Sequence, residues 1–193
     1  MKRLSFMFRS RRANSPAGLP HALWALMLGN LIIGTGVMVV PGTLNDISSS
    51  LGVTVPQAGM LITAGAILMG LGAPTLATLV AGWDRRRLLV GSLLWYGLLL
   101  GACALAPDYS TLLPLRVLAM VAPAVFTPQA AASVGLMVPS ERRGQAITFV
   151  FLGWSVASVM GMPLSAWVGG TLGWRWAFGG VALGALVGGW WLW

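Results

Sequence analysis

The stretch HALWALMLGNLIIGTGVMVVPGT, residues 21–43, decides the fold class of this chain. It contains no Asp, Glu, Lys or Arg, and it is long enough to cross the roughly 30 Å hydrocarbon core of a bilayer. Five further apolar runs follow at about residues 57–81, 88–106, 111–138, 144–170 and 176–193. With 57% hydrophobic and 8% charged residues, the 193-residue chain has too few polar side chains for a water-soluble globule. We therefore predict an all-α membrane protein with six transmembrane helices.

The distribution of basic residues predicts how these helices are oriented. The chain has twelve Lys and Arg against four Asp and Glu. Six spans place residues 1–20 and the loops 84–87 and 139–143 on one side, and these segments hold ten of the twelve cations. Because basic segments stay on the cytoplasmic side, we expect residues 1–20 to be a basic cytoplasmic tail. Residues 21–193 are then a multi-pass transmembrane domain with its N-terminus in the cytoplasm.

Small residues recur every four positions in two of the runs. In the fifth run they are Gly153, Ala157, Gly161, Ser165 and Gly169, a ridge of about 24 Å that needs a closely packed partner. The second run repeats the pattern less strictly, and LGAP (71–74) and MGMP (160–163) occupy similar places in runs two and five. This similarity predicts two inverted three-helix repeats, a 3+3 arrangement. Gly and Pro are also frequent enough in membrane helices to produce it by chance.

The sixth run reaches Trp193 with no charged segment after it. A polar terminus or loop usually follows the last span of a membrane protein. We therefore expect the chain to be one half of a longer protein, cut in or just after helix six. The alternative is a natural six-span protein whose aromatic end, GGWWLW, lies at the membrane interface.

Four motifs carry a family resemblance: the segment 71–89, LRV at 115–117, PSERRGQA at 139–146 and GWRWAF at 173–178. From about residue 21 onward, the chain resembles the N-terminal six-helix half of the major facilitator superfamily, in particular its bacterial drug and sugar efflux branch of proton antiporters. The resemblance implies an inner-membrane protein that exports small molecules by alternating access and needs no cofactor. Its implied partners are the lipid bilayer, a small-molecule substrate, protons and a second six-helix half.

The loop between helices two and three departs from the family pattern Gly-x-x-x-Asp-Arg-x-Gly-Arg-Arg. Arg85 and Arg86 align with the final arginines and Arg87 follows them, but Ala81 replaces the aspartate and Asp84 the second glycine. The resemblance implies a gating loop that latches the two halves, with Asp84 in a related role. The alternative is a solvated basic loop that only sets topology.

Arg116 aligns with the arginine of the family's fourth-helix motif, although Ala119 and Met120 replace the Gln and Gly that follow. An arginine inside a span costs about 2.5 to 3.5 kcal/mol on insertion scales, so a compensating role is expected. We expect Arg116 to face the transport cavity, where it attracts an anionic substrate or lowers the pKa of a nearby carboxyl group. The alternative is that it snorkels to the outer interface.

The fifth helix resembles the branch's Gly-x-x-x-Gly-Pro-x-x-Gly-Gly pattern, with its proline displaced by one place and its last glycines later. The resemblance implies a helix seam at Gly153, Ala157, Gly161 and Pro163. There the helix bends and slides against the second half, because small residues permit close approach and proline removes a backbone hydrogen bond. The alternative is a packing seam with no switching role.

A titrating group for proton exchange is harder to place. Gly34-Thr35 in the first helix is followed by Gly36-Val37, where related efflux proteins often have acids. Asp46 is the nearest carboxylate and our candidate; the alternatives are a solvated helix-end acid there and a coupling acid in the second half. The candidates for lining a mostly apolar pocket are Asn30, Thr35, Thr127 and Gln129. Such a pocket suits lipophilic cations or neutral amphiphiles, and each side chain has the alternative of a bond to a neighbouring helix.

Two classes of function stay open. The leading one is a solute carrier that exports small molecules, and the other is a non-transporting six-helix remnant or assembly partner. A membrane enzyme is not expected. One His, one Cys and no pair of acids in a common membrane cavity provide neither a metal site nor a catalytic triad.

Overall fold

A computed structural model describes residues 21–193, and within this range the chain is helical, without a strand. The predicted basic tail, residues 1–20, lies outside the described residues. The seven helices are α1 (His21–Leu51), α2 (Val55–Leu79), α3 (Arg85–Ala104), α4 (Tyr109–Ala119), α5 (Val121–Met137), α6 (Arg143–Leu172) and α7 (Trp174–Leu192). Short turns join them, and a single 3-10 turn, Ser140–Arg142, precedes α6.

The first helix continues past the predicted end at residue 43. Pro41 lies inside α1, and two residues later Thr43 leaves the helical region of backbone conformation with φ of −114° and ψ of 17°. Proline has no N–H to donate to the carbonyl four residues earlier, and its ring clashes with that carbonyl. The result is a kink that divides α1 while the chain continues in helix to Leu51.

The fourth run is one span by length, but its helix is interrupted at Met120. α4 ends at Ala119, Met120 forms a turn, and α5 begins at Val121. Pro123 explains the position of the break, because it cannot donate to the carbonyl of Ala119 and crowds it. Five stretches are long and apolar enough to cross a membrane, and α4 and α5 together form the fourth of them. α7 occupies the sixth position but does not meet the same criterion, since it is rich in glycine and tryptophan and contains Arg175. The sixth crossing and the 3+3 repeat stay predictions.

The helices form one bundle around α1, which contacts α2, α3, α5, α6 and α7. We call the end at which α3 and α6 begin the basic end, because the loops there contain five arginines, 85–87 and 142–143. α2 and α6 are the least covered helices. They bury 11% and 22% of their most apolar stretch, against 50% for each of the other three spans.

Two acidic residues at helix starts act as caps. Asp84 accepts a hydrogen bond from the backbone N–H of Arg87 at 2.9 Å, and Asp108 accepts one from that of Thr111 at 2.8 Å. The Ser110 hydroxyl also donates to Asp108 at 2.6 Å, and these bonds hold the pKa of Asp108 below its usual range. These bonds therefore favour the ionised form of Asp108.

We expect Asp108→Ala to lower the free energy of unfolding of the chain in detergent by about 1 kcal/mol, because the first turn of α4 loses its cap. Asp108→Asn is the matched control, since its amide oxygen can still accept from Thr111. Thermal unfolding followed by circular dichroism measures both variants. Equal losses for Ala and Asn would contradict the capping role.

Candidate functional site

Arg116 lies inside the bundle, with 2% of its surface exposed. Its Nη2 donates to the carbonyl oxygen of Val37 in α1 at 3.3 Å, and its guanidinium carbon lies 5.9 Å from the ring centroid of Phe178 in α7. Tyr96 and Cys103 of α3, both fully buried, lie beside it. The side chain therefore connects α4 with α1, α3 and α7, and it does not extend to the outer interface.

The bond from Arg116 to Val37 has a specific backbone cause. Pro41 follows Val37 by four residues and has no N–H, so the carbonyl of Val37 lacks its ordinary helical donor. A carbonyl left without a partner inside a membrane bundle costs several kcal/mol. Arg116 supplies the missing donor at the point where α1 kinks. Tyr96 supports the same region, since its hydroxyl donates to the carbonyl oxygen of Ile33 at 3.2 Å.

The guanidinium of Arg116 retains unused donors. Its Nε and Nη1 atoms have no hydrogen-bond partner among the described residues. A buried cation with free N–H groups attracts an anion, a water molecule or a carboxylate that enters its surroundings. Arg116 can thus position α1 and respond electrostatically to a charge that approaches it.

Asn30 and Thr127 form a second polar cluster inside the bundle. The Thr127 hydroxyl donates to Oδ1 of Asn30 at 3.1 Å, and Nδ2 of Asn30 donates to the carbonyl oxygen of Val150 at 3.4 Å. These bonds connect α1, α5 and α6. Both side chains thus bond to a neighbouring helix, which was the alternative to a role in lining the pocket. The Thr35 hydroxyl donates within its own helix to Leu31 at 2.8 Å. Asn30 is fully buried, whereas Thr35, Thr127 and Gln129 are half-buried, and of these three only Thr127 bonds to a side chain of another helix.

Asp46 lies near the end of α1 opposite the basic end, in a cleft of about 340 Å³. Ser49, Ser50, Arg175 and Trp176 also line this cleft. Arg175 donates from Nη2 to the carbonyl oxygen of Ala106 at 3.0 Å and lies 4.4 Å above the Trp174 ring. Asp46 is thus an accessible acid next to a cation that is bonded elsewhere.

The basic loop has defined local contacts. Asp84 caps α3, as described above, and Arg86 donates from Nε to the carbonyl oxygen of Leu192 in α7 at 3.3 Å. Asp84, Arg86 and Arg87 also line one surface cleft together with Trp193. The loop is thus attached to the bundle through α7, and its role as a latch between halves stays a prediction.

The ridge of small residues in α6 packs against α1. Gly153, Ala157, Gly161, Ser165 and Gly169 are all buried. A Cβ on Gly153 would overlap the carbonyl oxygen of Met27, and one on Gly161 would lie 3.2 Å from Cβ of Met38. α1 contributes matching small residues, since a Cβ on Gly34 would lie 2.7 Å from Cβ of Ala157. The close partner of the ridge is therefore α1, and Pro163 lies on the opposite, exposed face of α6.

Sequence reasoning missed Pro41, Tyr96 and Phe178, which surround or orient Arg116. Pro41 had a usable signal, because a proline inside a span always leaves one carbonyl to be satisfied by another group. Tyr96 and Phe178 had none, since an aromatic residue in an apolar run does not indicate which helix it contacts.

Comparison with known proteins places the chain in a family. It matches the model of the Major Facilitator Superfamily over residues 26–193. It is 35% identical over 165 residues to a chloramphenicol resistance protein of Streptomyces lividans, covering 86% of this chain and 42% of that protein. It is 33% identical over 158 residues to the inner membrane transport protein YdhP of Escherichia coli K12, with shares of 82% and 41%. A probable sugar efflux transporter of Pasteurella multocida is 29% identical over 159 residues, with shares of 82% and 39%.

The chain spans about two fifths of the length of these relatives. The family match extends over nearly all of the described helices, and the apolar spans, the buried arginine and the small-residue ridge are consistent with it. On this basis, the chain belongs to the major facilitator superfamily of membrane transporters.

Proposed function

We propose that this chain forms the N-terminal six-helix half of a secondary active transporter that exports small drug-like or sugar-like molecules by alternating access. The efflux assignment is supported by relatives whose names refer to chloramphenicol resistance and sugar efflux. The basic end faces the cytoplasm, in accordance with the distribution of arginines between the two ends of the bundle.

The observation that carries this proposal is the uneven coverage of the helices. α2 and α6 bury far less of their apolar stretch than the other spans. Their exposed side chains include Leu71 at 74%, Leu79 at 72% and Val159 at 70% exposure. Each of the two helices has an internal proline at an exposed position, Pro74 in α2 and Pro163 in α6. Both helices can bend there, because proline removes a backbone hydrogen bond. A second six-helix half packs against these two faces, and lipid covers what remains.

The proposal also includes coupling of export to protons, with Arg116 and Asp46 as the residues involved. Arg116 holds the kink of α1, and its free N–H groups sense the charge of a substrate or of an acid in the second half. Asp46 is the candidate acid of this chain, since it is half-buried in a cleft and lies beside the α1–α6 seam. Gly169 leaves room for it, because a Cβ there would lie 2.7 Å from Asp46 Oδ2.

The substrate pocket of the proposal lies between the halves, along α1 and α5. Thr35 and Gln129 supply half-buried polar groups there, amid mostly apolar neighbours. Sparse polar anchors on an apolar wall suit a lipophilic cation or a neutral amphiphile. Asn30 and Thr127 support the wall from inside through their mutual bond.

Efflux from cells tests the proposal. The full-length product of the gene that encodes this chain is expressed in bacteria that lack their major efflux pumps. Accumulation of chloramphenicol and of a fluorescent lipophilic cation is then measured with and without a protonophore. We expect accumulation at least threefold lower than in cells with an empty vector, and loss of that difference with the protonophore. Properly inserted protein that changes no accumulation would favour the non-transporting remnant.

A further inference from the structure

A large cleft opens at the basic end of the bundle. It has a volume of about 570 Å³ and lies where α1 and α3 begin and α5 and α7 end. Arg85 and Arg86 line it at the start of α3. The remaining wall is mostly apolar and includes Ala25, Leu26, Leu136 and Trp191. We call it the basic-end cleft.

At the basic end, five arginines outnumber the two acidic residues, Asp84 and Glu141. The whole chain contains four acidic residues, and Asp46 and Asp108 belong to the opposite end. Asp84 accepts from the backbone N–H of Arg87, and Glu141, in the other basic loop, accepts from the Ser140 hydroxyl at 2.8 Å. Arg86 donates one N–H to a backbone carbonyl and keeps its other donors. The cleft therefore combines excess positive charge with an apolar wall.

This combination selects the chemistry of an occupant. A small hydrophilic anion would pair with the two arginines but would leave the apolar wall exposed to water. An apolar molecule would fill the wall and leave the charge unpaired. A molecule with an anionic phosphate head and a hydrocarbon chain satisfies both, and the volume lies within the range of small-molecule sites. Basic pockets between helices at the cytoplasmic surface suit such headgroups, since the leaflet there is anionic.

We propose that the basic-end cleft binds an anionic phospholipid, with its phosphate on Arg85 and Arg86 and one acyl chain against Leu26, Leu136 and Trp191. Residues 1–20 are a less suitable occupant, because they carry five Lys and Arg and no acid. The bound lipid connects the start of α3 with the ends of α5 and α7. The proposal rests on the cleft and its charge, and it does not require that the chain export a solute.

Native mass spectrometry of the purified chain tests the proposal, with phosphatidylglycerol added to detergent micelles and phosphatidylcholine as the zwitterionic comparison. We expect the native chain to retain one phosphatidylglycerol tightly. In the Arg85→Gln/Arg86→Gln variant we expect the affinity for this lipid to be lower by about tenfold or more. The matched control is Arg142→Gln/Arg143→Gln, which removes the same charge from the same end outside the cleft. Each pair contains one arginine that donates to a backbone carbonyl, Arg86 to Leu192 and Arg143 to Val138, and glutamine retains a donor.

A second variant separates site binding from general attraction. Ala25→Phe fills the apolar wall and keeps both arginines, so we expect it to weaken lipid retention several-fold without changing the elution volume of the protein. Inorganic phosphate at millimolar concentration should not displace the lipid. Equal loss in the two arginine pairs, equal retention of the zwitterionic lipid, displacement by phosphate, or full retention in Ala25→Phe would each overturn the proposal.

Discussion

Replacing Arg116 with alanine is expected to lower the proposed efflux activity by at least about 100-fold, while the chain still inserts into the membrane. Insertion becomes easier because the substitution removes a charge that costs about 2.5 to 3.5 kcal/mol inside a span. Efflux is lost because α1 loses the donor that holds its kink, and because the interior of the bundle loses its buried cation, whose Nε and Nη1 have no partner among the described residues. Transport into proteoliposomes and membrane fractionation measure the two effects separately.

A stability cycle with Pro41 identifies the cause. Arg116→Ala alone leaves the Val37 carbonyl without a donor, which costs about 1 to 3 kcal/mol. In a Pro41→Ala background residue 41 has an N–H that can bond to Val37, so the same substitution should cost clearly less. Equal costs in both backgrounds would mean that the bond to Val37 is incidental.

Arg116→Lys distinguishes charge from geometry. Lysine keeps the charge but lacks the planar fork of donors, so we expect stability close to the native value and efflux strongly reduced. Native efflux by Arg116→Ala would remove this residue from the transport mechanism.

Gly153→Leu is expected to have the second largest effect, a loss of at least about 3 kcal/mol in stability with failure of efflux. A side chain at this position meets the backbone of α1 at Met27 and Leu31, and backbone cannot rotate away as a flexible side chain does. α1 and α6 would have to separate along the ridge, which also displaces Asn30 from Val150. Thermal unfolding in detergent and protein yield in membranes measure the loss.

Gly170→Leu is the matched control on the same helix. Gly170 is exposed, with no atom within 4 Å of the Cβ position, so leucine there should be tolerated. Gly161→Ala provides an intermediate case, since its nearest neighbours are at 3.2 and 3.3 Å. If Gly153→Leu were as stable as Gly170→Leu, the close approach of α1 and α6 would be wrong.

Hydropathy predicted the helical class and the position of most helices, because apolar length is a property of the sequence alone. Backbone geometry within a run was not predictable in the same way. Pro41 and Pro123 are both prolines inside apolar runs, and the helix is interrupted near each: Thr43 leaves the helical conformation two residues after Pro41, and α4 ends at Ala119, four residues before Pro123. The carbonyl that a proline leaves without its helical donor can be named from the sequence, but the group that satisfies it, such as Arg116 at Val37, comes from another helix, which no local pattern reveals.

The candidate site was predictable as a set of residue types and not as a set of contacts. Arg116 stood out because a cation in a span is costly. That it bonds to a particular carbonyl of α1, and that Thr127 bonds to Asn30, depends on how the helices are rotated about their axes. The periodicity of the ridge in α6 correctly identified a buried face, but the sequence could not specify α1 as the helix that covers it.

The location of Cys103 has a practical consequence for spectroscopy. It is the only thiol in the chain, and it is fully buried beside Arg116. Maleimide dyes and nitroxide labels should therefore react selectively with cysteines introduced on the exposed faces of α2 and α6, with little background from the native sequence. Distance measurements between such probes can then follow movements of α2 and α6 without first replacing the native cysteine of this chain.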